Sequence, residues 1–538
     1  MRRIGYALLM VGAALSAQER GPAQPDETRI VVPELILAVE ELPLDRVEAT
    51  LPAEAELRLG DLALPLPEPG DLEIDQAAFF ISAPETSPMP VDGSSIYSTG
   101  LLGAGSASHI VGEVSLFKLG EDPRFRLRFF YEGLDGFQFE PTGTGYFRTE
   151  NQVEGSIESS SPEFDFETRA LFSERVTGLQ GESPFYSVGL RTLSGLGTVT
   201  WRPDPLLELS GRLDGRFASR LQSASNVASV PRDRELALAP GLGISFTVGS
   251  VVLSTDLDYQ LSVTGGAFSA TRHQIDGSAG AAVSAAPWLR IEAQAGVFSE
   301  FDARLFYPWS LATAIVVSES LETDLFGGYR QLPISYLDRW TAWPLLAAGA
   351  GGDGYRTPGE WFAGARVRWS PLPGIVTTTV AEYLRRENAI EIERFAATPS
   401  VYEAQQRLLQ NVRLDTTVGF TPARQTNVQI EWDLLLLDRL ATDPLSTLNG
   451  SVSIGSPDGR LSATLDALLE FYPRPVLPEI DITGTVAVTD GVALDLVLSD
   501  PLALLLPDGR PSVGPTVSSD FPFIEPGFRA SVLARISL

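Results

Sequence analysis

The chain has 538 residues, 44% of them hydrophobic, and no cysteine, which excludes disulfides and cysteine-held metals. Sixty-nine acidic residues against 40 basic ones leave a net charge of −29, and Lys118 is the only lysine. So acidic a balance excludes nucleic acid as a partner, because phosphate binding needs clustered Lys and Arg.

In chain order, the first predicted element is a secretory leader over residues 1–17. Arg2 and Arg3 supply a positive start, and Tyr6 to Leu15 is an apolar stretch too short to cross a bilayer as a helix. Leu15-Ser16-Ala17 has the small residues of a cleavage site. No later run reaches the roughly 18 uncharged apolar residues of a transmembrane helix. An exported chain of this kind is soluble, peripheral or a β-barrel.

Residues 18–93 form a second region, rich in Pro and acid. Seventeen acidic and four basic residues lie between Glu19 and Asp92. Prolines at 33, 43, 52, 65, 67 and 69 cut it into apolar pieces of strand length, such as Ile30 to Val39. Two readings stay open for this periplasmic segment: a partly disordered leader that gates or docks on a partner, or one small β-rich module.

The third region, 94–538, alternates apolar and polar residues in segments of eight to twelve. Arg124 to Tyr131 reads R-F-R-L-R-F-F-Y, and Leu253 to Val263 reads L-S-T-D-L-D-Y-Q-L-S-V. Strand side chains point to opposite faces with period two, so each segment has one greasy and one wet face. Short turns with Pro or Gly recur on one side: Glu121-Asp122-Pro123, Arg202-Pro203-Asp204-Pro205, Val248-Gly249-Ser250, Ala286-Pro287-Trp288, Ser370 to Gly374, Thr421-Pro422-Ala423, Ser456 to Gly459 and Thr489-Asp490-Gly491. The intervening connections, such as 219–233, 332–359, 387–404 and 500–526, are longer. This asymmetry predicts an all-β fold: a transmembrane antiparallel β-barrel with periplasmic turns and external loops. The count is about 22 strands if Ser94 to Gly103 pairs with Ser106 to Leu119. The last strand, Phe528 to Leu538, closes the barrel against the first, since lipid does not tolerate unpaired edges. Trp201, Trp288 and Trp369 sit beside short turns, where an interfacial girdle belongs.

Magnitude orients the two faces. One lipid-facing Arg at mid-bilayer costs roughly 2–4 kcal/mol, so three on one strand would cost on the order of 6–12 kcal/mol, comparable to the stability of a whole protein. Arg124, Arg126 and Arg128 therefore face the lumen, with Phe125, Leu127, Phe129 and Tyr131 toward lipid. By the same alternation Glu208, Arg212, Asp214, Arg216, Asp256 and Asp258 are lumen-lining candidates. Such a mixed face is a solvated lining first and a solute track second.

Catalytic chemistry has no motif here. The two histidines, His109 and His273, stand in no metal-ligand spacing, and no Walker loop or dinucleotide fingerprint occurs. No enzyme activity, metal or cofactor is expected.

A barrel of about 22 strands with turns such as W-R-P-D-P-L-L-E-L (Trp201 to Leu209) resembles the TonB-dependent receptors, outer-membrane importers of scarce nutrients driven by an inner-membrane motor. The resemblance covers 94–538. Glu27-Thr28-Arg29-Ile30-Val31-Val32 is similar to the box that such receptors present to TonB by strand addition, which makes Glu27, Thr28, Ile30, Val31 and Val32 a partner-binding candidate. The resemblance implies passage of a small solute through a polar lumen, as in a porin-like channel. It also implies outer-membrane lipid, the barrel assembly machinery and a periplasmic or TonB-type protein as partners. The chain departs from the family in lacking a recognisable full plug ahead of the barrel. The alternatives are a non-transporting barrel that anchors a periplasmic docking segment, or a surface adhesin using apolar loops at Leu502 to Leu506 and Phe521 to Ile524.

Overall fold

The computed structural model describes residues 95–537, except 121, 183–184, 224–232, 267–268, 301–304, 334, 344–345, 347–354, 398–399, 424, 441–442, 473–475 and 512–522. The first half of the sheet comprises β1 (Ser95–Gly105), β2 (Ile110–Leu119), β3 (Arg124–Asp135), β4 (Phe147–Ser160), β5 (Phe164–Gly178), β6 (Ser187–Asp204), β7 (Leu207–Ser223), β8 (Asp233–Val248), β9 (Val251–Gly265), β10 (Ala270–Ala286) and β11 (Leu289–Glu300). The second comprises β12 (Leu305–Phe306), β13 (Trp309–Ser318), β14 (Leu321–Gln331), β15 (Gly359–Leu372), β16 (Ile375–Ala397), β17 (Ser400–Ala423), β18 (Thr426–Leu437), β19 (Ser446–Gly455), β20 (Leu461–Phe471), β21 (Glu479–Thr489), β22 (Val492–Ser499) and β23 (Arg529–Ser537). One helix, α1 (Tyr336–Ala342), lies in the β14–β15 connection.

All pairings run antiparallel between chain neighbours, and β23 pairs with β1 from Thr99↔Ser537 to Gly105↔Ser531, which closes the ring. β12 and β13 both pair with β11, so they are one stave interrupted around Pro308. The 23 strands of the single sheet therefore make 22 staves. Closure satisfies backbone groups that an open edge would leave unpaired in lipid.

At the seam the chain relies on glycine. A Cβ on Gly105 would stand 2.2 Å from Ser531 Oγ and 2.5 Å from the Ala530 carbonyl. Ser106 fastens the same corner: its N–H donates to Ala530 O and its Oγ accepts from Ala530 N, both at 2.9 Å.

The alternation works as expected. On β8, Leu236, Leu238, Leu242, Ile244, Phe246 and Val248 are exposed, while Asp233, Glu235 and Ala237 on the other face are buried. Large exposed apolar side chains recur on nearly every stave, forming an outward-facing apolar band. Trp201, Trp288 and Trp369 are exposed beside short turns, at the edge of that band.

The two rims differ as the turns predicted. On one, staves join through turns as short as Gly249-Ser250 between β8 and β9 and no longer than 456–460 between β19 and β20. The other carries the long connections. One of these differs from expectation: 387–404 is mostly ladder, because β16 and β17 continue pairing to Ala397 and Ser400 through two register shifts. The bulges at Arg386/Ala389 and Ile392/Arg394 break the period-two pattern, which is why the stretch reads as loop.

Candidate functional site: the polar lumen and the clusters at its mouth

The sheet register assembles the sequence candidates. Ser115, Arg128, Glu154, Leu171, Ser194, Arg216, Ala237, Ser262 and Arg272 lie in one row across β2–β10. Residues two apart share a face. Arg124 and Arg126 thus stand with Arg128; Glu208, Arg212 and Asp214 with Arg216; and Asp256 and Asp258 with Ser262. Most are paired. Arg128 meets Glu113 at 2.7 Å, Arg124 meets Glu158 at 3.3 Å, and Arg212 meets Asp258 at 3.0 Å. Arg216 meets Asp214 at 2.8 Å, and Glu208 meets Arg202 at 2.9 Å. Arg126 is exposed on this face. Asp256 leans over Gly243, where a Cβ would come within 2.9 Å of its Oδ1.

Toward the long-loop rim this face is covered. Leu179 after β5, Val188 on β6, Leu346 from the β14–β15 connection, Ile392 on β16 and Phe523 from the β22–β23 connection form one buried apolar cluster. Their parent staves are spread around the ring, so they meet only by crossing over the lumen. A second cluster joins Leu190 and Ala218 of β6 and β7 to Tyr336, Trp340 and Tyr355 of the β14–β15 connection.

The β14–β15 connection is held by the wall at many points. Glu235 accepts from Leu337 N at 2.8 Å. Arg220 donates to Leu346 O, and Arg272 donates to Tyr355 O at 2.7 Å. Gln406 on β17 accepts from Arg356 N at 2.9 Å and donates to its carbonyl at 2.7 Å. Thr357 donates to Glu300. Three guanidinium groups stack on its rings: Arg220 over Trp340 at 5.4 Å, Arg272 over Tyr336 at 5.9 Å, and Arg339 over Tyr355 at 5.5 Å. Burial pushes the Tyr355 phenol up to about 12 and raises Tyr336, and it lowers Arg339 below the usual arginine value.

Beneath the base of this connection, Glu360 on β15 is 0% exposed and bridges Arg330 of β14 and Arg386 of β16. Two cations on one carboxylate satisfy the charge that burial makes costly.

A cavity of about 260 Å³ opens between β3, β4 and the β22–β23 connection, lined by Glu132, Glu150, Glu479, Asp500 and Glu525 with Arg148, Arg510 and Arg529. Arg510 clamps Asp500 at 2.8 Å. Burial raises the Glu525 carboxyl above its ordinary value, against the pull of Arg148. Beside it, His109 Nδ1 meets Ser531 Oγ at 2.6 Å and His109 Nε2 meets Glu132 at 3.1 Å. The trio has the composition of a hydrolytic triad. Ser531, however, is 5% exposed, packs on Gly105 and does not line the cavity, so the trio fastens the seam. His273 bonds the Tyr259 hydroxyl at 2.8 Å. Among the described residues no cluster of His, Asp or Glu has the form of a metal site.

The leader, residues 18–93 and the box at Glu27, Thr28, Ile30, Val31 and Val32 lie outside the described residues. Of the apolar loop patch, Leu504 and Leu505 are exposed, but Phe523 is buried in the mouth. Sequence reading missed Tyr336, Trp340, Tyr355, Arg272, Glu360 and the mouth they build. One signal was available: Ser335 followed by Asp338 ahead of Arg339 and Trp340 is an N-terminal helix signature, and Ser335 Oγ accepts from Asp338 N at 3.1 Å.

No protein-family model matches the chain, and the search of curated proteins found no match. Solved structures do match in fold. The ferric enterobactin receptor PfeA of Pseudomonas aeruginosa aligns with TM-score 0.62 at 12% identity, over 83% of this chain and 81% of that one. The siderophore receptor PirA of Acinetobacter baumannii aligns with TM-score 0.62 at 10% identity, over 84% and 81%. FpvA of P. aeruginosa, solved bound to pyoverdines, aligns with TM-score 0.59 at 10% identity, over 82% and 72%. The chain thus has the barrel fold of these siderophore receptors.

Proposed function

We propose that this protein is an outer-membrane barrel that passes a small solute through its polar lumen, in the manner of TonB-dependent receptors. The observation that carries the reading is the closed ring with an exposed apolar band outside and a register-aligned mixed-charge face within. Arg124, Arg126, Arg128, Glu208, Arg212, Asp214, Arg216, Asp256 and Asp258 line the path. The similar barrels belong to siderophore receptors, which makes an iron chelate the first solute class to test. Residues 1–17 serve as the secretory leader, and 18–93 as the periplasmic segment. Glu27, Thr28, Ile30, Val31 and Val32 would engage a TonB-type partner by adding a strand to its sheet. Lipid would contact the apolar band, and the barrel assembly machinery would insert it. No step of this reading needs catalysis or a cofactor.

The test is uptake by a diderm host carrying the gene, supplied in turn with radiolabelled iron chelates. Uptake that requires the protein and falls on deletion of Glu27 to Val32 supports the reading. Growth and uptake identical to an empty vector for every chelate, with the barrel present in the outer membrane, would overturn it.

A further inference from the structure

Outside the lumen, the wall places its few charges in a pattern. Every second residue along β5 to β9 points outward. On the ladders of these five staves only three outward residues are charged: Glu174, Arg191 and Arg234. The register sets all three in one row at the long-loop end, Glu174↔Arg191↔Ser219↔Arg234↔Gly265. The next outward row toward the short turns is Phe172↔Leu193↔Phe217↔Leu236↔Val263, apolar throughout and exposed. The surface therefore turns from greasy to cationic within two residues of strand, about 7 Å.

The height of that boundary can be measured along β6. Arg191 and Trp201 both face outward and stand ten residues apart. Ten residues of strand rise about 33 Å. At the tilt of membrane barrels this is about 25 Å across, the height of their apolar band. Trp201 marks one edge of the band and the arginine row marks the other. In the placement proposed above, the row lies level with lipid headgroups.

The row has the chemistry of an anion site. Arg191 Nε donates to Glu174 at 2.6 Å, which orients the guanidinium, and the Arg191 side chain stays 56% exposed. Arg234 is exposed and forms no ion pair among the described residues. Its stem crosses Gly265, where a Cβ would come within 3.1 Å of the Arg234 Nε. The chain has 69 acidic residues against 40 basic ones, so an outward arginine without an acid does not reflect a shortage of acids. Ser219 stands between the two arginines and adds a hydroxyl. Two strand spacings, about 10 Å, separate the arginine Cα atoms, enough to serve phosphates at the two ends of one headgroup. The planar guanidinium fork suits phosphate. A free anion would use the arginines alone. The apolar row directly beneath them fits a molecule with phosphate at one end and hydrocarbon at the other.

We propose that Arg191, Ser219 and Arg234 bind the phosphorylated headgroup of an outer-leaflet lipid, whose acyl chains lie along Leu193, Phe217 and Leu236. The inference rests on the barrel crossing the outer membrane with its long loops outward. It adds that one sector of the outer wall selects an anionic lipid.

The test uses purified full-length protein in a non-ionic detergent, with the folded barrel verified by heat-modifiable gel mobility. The protein is titrated with bisphosphorylated lipid A, and native mass spectrometry counts the lipid bound. Wild-type protein should retain one lipid A in preference to phosphatidylcholine. Arg234→Gln should weaken retention about fivefold, and Arg191→Gln/Arg234→Gln about 25-fold, from the attraction of one cation apiece. Lys118→Gln removes an outward cation beside the β2–β3 turn and should bind as wild type does. No preference over phosphatidylcholine, or equal retention by the double variant, would overturn the site. An equal loss in Lys118→Gln would reduce it to general charge attraction. An inorganic phosphate adduct that depends on Arg234 and excludes lipid A would make the row a free-anion site and overturn the lipid. Insertion into phosphatidylcholine vesicles separates the two levels of the argument. Folded protein that stays out of vesicles would overturn the membrane placement itself, whereas insertion without selective retention of lipid A would remove the site alone.

Discussion

Two arcs of the wall contrast. The arc β3–β7 carries arginine on every stave and sets acids among them: Arg128 with Glu113, Arg175 with Glu150, Arg216 with Asp214. The arc β18–β22 carries no Arg or Lys at all. Its inner acids borrow cations from neighbours, Asp433 from Arg413 on β17 and Asp495 from Arg535 on β23. Asp466 and Asp481 face each other directly across two strands. Like charges in that position are destabilising when dry, whereas water and salt screen them. Part of the arginine arc lies under the apolar clusters at the long-loop rim, where charges must be matched. The lesson is that acids are matched by arginine on one arc of the wall and left largely to one another on the other.

This contrast can be broken at several points. The largest effect is expected at the end of the β14–β15 ladder. Glu360→Ala removes the carboxylate shared by the partly exposed Arg330 and Arg386 and should cost about 1.5–3 kcal/mol in urea unfolding followed by tryptophan fluorescence. Acid-to-alanine changes at Asp466 should cost far less. A loss equal to that at Glu360 would erase the distinction between packed and wet wall.

Next comes backbone approach. Gly105→Ala at the closing seam forces a Cβ against Ser531 and the Ala530 carbonyl, and should cost about 1–3 kcal/mol. Gly450→Ala on β19, where a new Cβ meets nothing within 4 Å, should change stability by less than about 0.5 kcal/mol. Equal melting shifts for the two would show that the seam is not tightly packed.

A pair of neutralising changes should then differ in sign. Glu113→Gln removes the Arg128 partner and should destabilise, whereas Asp481→Asn relieves Asp466 and should stabilise, each by about 0.2–1 kcal/mol at low salt. Both effects should shrink at high ionic strength. Matching signs would refute the zoning.

The smallest effect is local and depends on pH. Burial raises the Glu525 carboxyl, so the folded mouth favours its protonated form. Its contribution is fully present below the ordinary glutamic acid value and is lost as pH rises through the higher folded value. Protection against hydrogen exchange at Ile524 and Gly527, relative to the base-catalysed rate of a free amide, should therefore fall from acid to neutral pH, and Glu525→Gln should flatten that response. An unchanged profile in the variant would assign the pH effect to another group.

Much of this was legible in the residues alone. Alternation along Arg124 to Tyr131 and Leu253 to Val263 identified the staves because a strand side chain has only two directions, and lipid forbids charge on one of them. The Pro and Gly turns located one rim, although the join at Ser318–Leu321 lacks that chemistry and the join at Ser160–Phe164, which carries Pro162, passed unnoticed. Register was not readable. Nothing local says that Arg128, Arg216 and Arg272 share a row, since hydrogen-bond pairing across the eight staves β3–β10 settles it.

Sequence by itself determined that this chain rolls into a ring, which side of each stave is greasy, and where the short turns fall, because those follow from period and solvent. Tertiary structure alone decided which connections pack together at the long-loop rim. Trp340 finds Ala218 and Arg220, and Leu179 finds Phe523, through space that only the closed ring defines. An irregular connection has no period to read. Its side chains take their meaning from the wall they land on.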